Sequence, residues 1–135
     1  MTSYEHVQPG DLILIGEPKM HSVVIRTAKV PAFWHGRDGN PLYVSNGMLV
    51  YSGEGNHEGE FFATCRDEWN NERLTDAYHP KSENPDLVRV LLESARSKLG
   101  SERKVIFRGL GKSLYSDDIE KDITAILETL SGVQN

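Results

Sequence analysis

Pro9-Gly10-Asp11-Leu12-Ile13-Leu14-Ile15 decides how the rest of the chain is read. A turn triplet stands directly before a short unbroken apolar run, the pattern of a buried strand. Gly16-Glu17-Pro18 stops that run. His21-Ser22-Val23-Val24-Ile25 follows as a second, β-branched segment, so the two read as a hairpin joined by a short loop.

Further along, Asn46-Gly47 is a turn dipeptide, and Met48-Leu49-Val50-Tyr51 after it makes a third strand. Ser52-Gly53-Glu54-Gly55 ends it, and Phe61-Phe62-Ala63-Thr64-Cys65 makes a fourth. Between the second and third strands, residues 31–46 alternate Gly and Pro with Phe33, Trp34, His35 and Tyr43, which predicts a long loop ordered by aromatic packing. The polar stretch from Arg66 to Glu83 shows little periodicity.

The second half is helical. Asn84 can cap, Pro85 suits the first helical position, and Leu87, Val88, Leu91, Leu92, Ala95 and Leu99 recur at helical spacing, with Lys98 and Gly100 closing the helix. Lys104-Val105-Ile106-Phe107 reads as a short strand and Gly109-Leu110-Gly111 as a tight connection. A last helix starts near Ser116, with Asp117 and Asp118 against the positive end of its dipole, and buries Ile119, Ile123, Ile126, Leu127 and Leu130. Strands followed by helices predict one α+β domain over 1–135, a small antiparallel sheet of about 4–5 strands packed against the two C-terminal helices.

The 135 residues, 38% of them apolar and 26% charged, suit one globular core, and no stretch approaches the roughly 20 apolar residues of a membrane span. Met1-Thr2-Ser3-Tyr4-Glu5-His6 has neither the basic nor the apolar region of a secretory signal, and the single Cys65 can form no internal disulfide, so a cytoplasmic protein is expected. A net charge of -5 argues against a nucleic-acid partner. The histidines are scattered without metal-ligand spacing, and neither metal nor cofactor is expected. Gly109-Leu110-Gly111-Lys112-Ser113 ends like a phosphate loop, but Ile106 stands where the first glycine belongs. His21 opens a strand from which its ring can point out at the sheet end, whereas Cys65, within an apolar strand, reads first as an inert buried thiol.

Pro9-Gly10-Asp11-Leu12-Ile13, Pro18 and His21, then Asn70-Asn71 through Tyr78, Pro80 and Pro85 and the helix from Val88 to Gly100, together resemble the lecithin retinol acyltransferase family. The resemblance implies a permuted papain-like fold related to NlpC-type peptidases. It implies that His21 is a general base, that the orienting position on the following strand falls near Tyr51, and that the nucleophile's Asn-Cys box falls close to Lys112-Ser113. No cysteine stands there. Ser113 is the hydroxyl at that place, and Cys65 would attack only in a rearranged site. Picornaviral 2A proteins of the H-box type resemble the same family and imply a viral protein acting on partners.

The leading expectation is therefore a pseudoenzyme: a catalytically degenerate domain that binds a protein partner or a lipid acyl group, using Phe33, Trp34, His35 and Tyr43 as contact surface. One alternative is an active acyltransferase or phospholipase-like hydrolase using His21 with Cys65 or Ser113. The other rests on Tyr51-Ser52-Gly53-Glu54-Gly55, Asn71 and Leu74, which resemble a stretch of SRA-type domains and imply a reader of a flipped modified base.

Overall fold

The computed structural model describes residues 7–15, 20–27, 30, 32–35, 41–44, 47–54, 58–64, 78–109 and 112–133. Their order is β1 (Leu12–Ile15), β2 (Met20–Arg26), β3 (Ala32–His35), β4 (Pro41–Val44), β5 (Met48–Ser52), β6 (Phe61–Thr64), β7 (Tyr78–His79), α1 (Pro85–Leu99), β8 (Val105–Gly109), β9 (Lys112–Tyr115) and α2 (Ser116–Val133). Five strands form an antiparallel sheet in the order β6-β5-β2-β1-β7, and β3-β4 and β8-β9 form separate two-stranded pairs. The fold is α+β, as the run of strands followed by helices predicts.

The unbroken apolar runs have a direct explanation. Leu12, Val23, Ile25, Leu49 and Tyr51 face one buried cluster, while Ile13, Val24, Met48 and Val50 face a second one with Val7. A strand buried on both faces has no solvent side to alternate toward, and every residue of β5 is accordingly buried. The first cluster is completed by Val88, Leu91, Leu92, Ala95 and Leu99 of α1 and by Ile119, Ile123, Ile126 and Leu130 of α2. Asn84 caps α1, its Oδ1 accepting from the Leu87 N–H at 3.3 Å.

Three elements depart from the reading of the sequence. The expected long loop over 31–46 contains a hairpin in which Ala32 pairs with Val44, Phe33 with Tyr43 and Trp34 with Leu42. Each strand of it has four residues and β4 opens on a proline, so neither carries enough periodicity to be recognised before the two are paired. The second is β7, a two-residue strand inside the stretch that showed no pattern, defined only by its pairing with β1, where Leu12 meets His79. The third is β9, which inserts a strand between the glycine connection and α2.

Pro9-Gly10-Asp11 earns its place at the sheet edge. Gly10 has φ +96°, and a Cβ there would lie 2.9 Å from Cγ2 of Ile126 in α2. Its N–H donates to the Val24 carbonyl at 2.6 Å and Val24 N–H donates to the Asp11 carbonyl at 2.9 Å, which extends the β1-β2 ladder. The buried Asp11 carboxylate accepts from the Gln8 N–H at 2.8 Å and from the Lys81 N–H at 3.0 Å, binding the turn to the segment after β7. Gly53, just past β5, leaves room for Leu91, whose side chain a Cβ would overlap.

Gly10→Ala meets both a disfavoured φ and the Ile126 contact, and urea denaturation should show a loss of about 1–3 kcal/mol with little change in slope. An alanine variant as stable as the parent would remove the close approach of α2 from this account.

Candidate functional site

His21 stands near the start of β2, where Leu14 of β1 is its register partner, on the side of the sheet that Leu12 shares with the helices. The chain after β5 runs alongside, with Gly53 N–H donating to the His21 carbonyl at 3.1 Å. That contact sets Glu54 beside the histidine. One oxygen, Oε1, accepts from the His21 backbone N–H and meets the ring Nδ1, each at 2.8 Å. Both side chains remain about half exposed, at 41% for His21 and 51% for Glu54.

The dyad has a defined polarity. An ionised carboxylate can only accept, so in the neutral ring Nδ1 carries the proton and Nε2 is left as an acceptor. The backbone bond from His21 and, after it, the ring bond hold the Glu54 carboxyl below the ordinary glutamate value of 4.5. A second imidazole lies close: the His79 ring centroid is 6.2 Å from that of His21, the planes inclined by 42°. His79 pairs with Leu12 across β1, and its Nδ1 lies 3.9 Å from Glu83 Oε2.

The other residues singled out from sequence are placed as follows. Tyr51 shares the helix-facing side, but its hydroxyl bonds Ser94 Oγ of α1 at 2.7 Å and its ring stacks at a tilt on Phe61, so the partner that orients His21 is Glu54. Ser113 lies on β9 opposite Arg108, ahead of the start of α2 at Ser116. Ser116 itself is engaged in structure, donating to the Glu102 carbonyl at 3.1 Å and accepting from the Lys104 N–H at 2.9 Å. Cys65 lies outside the described residues. Phe33, Trp34, His35 and Tyr43 are hairpin residues rather than loop residues, and the exposure of their side chains lies outside what is described.

Glu54 and His79 are the site residues that the sequence reading missed. Glu54 reads locally as a turn residue, and His79 lies in the stretch without pattern. The contact with Glu54 spans 33 residues and depends on the β2-β5 register, which no local pattern announces. Among the described residues no group of His, Cys, Asp and Glu side chains could hold a metal ion, and no helix is long and apolar enough to cross a membrane. Comparison of the chain with protein-family models, curated proteins and solved structures finds no match.

Two outcomes test the dyad. Long-range proton–nitrogen NMR should find the Nδ1-protonated tautomer of neutral His21. It should persist in Tyr51→Phe and give way to a tautomer mixture in Glu54→Ala; a mixture already in the parent would dismiss the assignment. Because the Glu54 carboxyl titrates lower when folded, its contribution to stability is fully present above the ordinary value of 4.5 and is lost as pH falls through the lowered folded value. Thermal melts taken downward from neutral pH should therefore show a shallower acid decline in Glu54→Gln than in the parent, and parallel declines would rule the contact out.

Proposed function

We propose that the chain is a domain of the lecithin retinol acyltransferase type, with the permuted papain-like fold, that works as a binding module for a protein partner or a lipid acyl group. The observation that supports this reading is the set of partners taken by the hydroxyls around the sheet. Tyr51 is bonded to Ser94, Ser22 to Ser52 at 3.1 Å, and Ser116 to the Lys104 N–H and the Glu102 carbonyl. His21 is bonded to Glu54. The oriented imidazole thus offers Nε2 to an incoming group, in the manner of a recognition point for a hydrogen-bond donor. Action on a partner in the cytoplasm, as the picornaviral 2A resemblance implies, belongs to the same reading.

A second reading is favoured by Glu54. A carboxylate that fixes the tautomer of an imidazole is what a general base needs, and in this reading His21 activates Cys65 or Ser113 for attack on an acyl ester.

Incubation with a short-chain thioester and with phosphatidylcholine vesicles separates the two. The binding reading expects hydrolysis no faster than in buffer and no covalent adduct after treatment with iodoacetamide or an acyl phosphonate at neutral pH. Turnover that disappears in His21→Ala, together with a labelled Cys65 or Ser113, would replace it with the catalytic one.

A further inference from the structure

A cleft of about 440 Å³ lies between the turn before β1, the end of β2, the segment after β7 and the middle of α2, at the opposite end of β2 from His21. Its volume falls in the range of small-molecule sites. The walls combine two chemistries. Pro9, Ala125 and the edge of Ile126 supply apolar surface, and the buried Ile25 backs it from the main core.

The charged lining is two cations, Arg26 and Lys81, and one carboxylate, Asp122. Arg26 donates through Nε to Asp122 Oδ2 at 2.8 Å, a single contact at the side of the guanidinium that leaves its terminal nitrogens without a hydrogen bond among the described residues. Lys81 is anchored by its backbone, since its N–H donates to Asp11 Oδ1 at 3.0 Å. Its stem passes over Gly10, with Cδ 3.2 Å from where a Cβ would stand. Its ammonium has no partner among the described residues. Among the lining groups Arg26 and Asp122 offset each other and Lys81 carries the remaining positive charge, while the buried Asp11 carboxylate lies against the Lys81 backbone.

The geometry points to a binding site for a small organic monocarboxylate with a short aliphatic chain. Its carboxylate is received by the Lys81 ammonium and the terminal Arg26 nitrogens, and its chain lies against Pro9, Ala125 and the edge of Ile126. Charge sets the head group: a neutral isostere would leave the Lys81 ammonium and the terminal Arg26 nitrogens unanswered. The site is independent of the His21–Glu54 dyad and of the function proposed for it.

Titration of the full chain with hexanoate, followed by proton–nitrogen correlation spectra, tests this. Saturable shifts are expected at Gln8, Thr27 and Ala125, unchanged in His21→Ala. Lys81→Gln, and separately replacement of hexanoate by hexanamide, should each weaken binding by about tenfold, the scale of one charge-assisted hydrogen bond. Ala125→Trp, at an exposed helix position on the wall, should block binding without altering charge. Absence of saturable shifts with hexanoate, equal affinity for hexanamide, or undiminished binding in both Lys81→Gln and Ala125→Trp would overturn the assignment.

Discussion

The whole arrangement depends on how closely two helices can lie against one face of the sheet. At Gly10 and Gly53 the backbone comes so near to Ile126 of α2 and Leu91 of α1 that no Cβ fits comfortably between them. Those two places hold the helices down. Between them the apolar residues of β1, β2 and β5 merge with the inner sides of both helices into one core. Dispersion contacts fall off within a fraction of an ångström, so a sheet and helix held apart by one methyl group lose much of the packing that binds them.

Polar contacts set where the layers sit relative to one another, because each admits few geometries. The Tyr51–Ser94 bond fixes α1 over β5, and the Arg26–Asp122 pair fixes α2 over the end of β2. At the edge of the sheet the Asp11 carboxylate joins the entering turn to the segment after β7, satisfying two backbone N–H groups that would otherwise have to find water. Together these contacts keep the two ends of β2 chemically distinct. One end holds an imidazole ordered by a carboxylate; the other opens into a cleft lined by Arg26, Lys81 and Asp122.

The His21–Glu54 contact shows how a site arises from this frame. The ring is held at a single nitrogen, and the same carboxylate oxygen that holds it also anchors the backbone of the strand. Orientation of the imidazole and anchoring of the chain after β5 thus share one carboxylate oxygen. His79 enters from the outer strand and places a second ring beside the first without sharing its carboxylate.

Local pattern was enough for the elements that carry their own signal. The runs 12–15, 21–25 and 48–51 mark strands of the central sheet, the spacing of Leu87 to Leu99 marks α1, and Asn84 and Ser116 mark where the helices begin. In each case the information lies within a few residues, in side-chain periodicity or in a cap. The β3-β4 hairpin, β7, the pairing of Glu54 with His21 and the cleft beside Lys81 exist only once strands from distant parts of the chain are in register. Periodicity reports which face of an element is apolar and says nothing of which residues another element brings opposite it. Tertiary structure alone therefore decided where the charged and polar side chains meet.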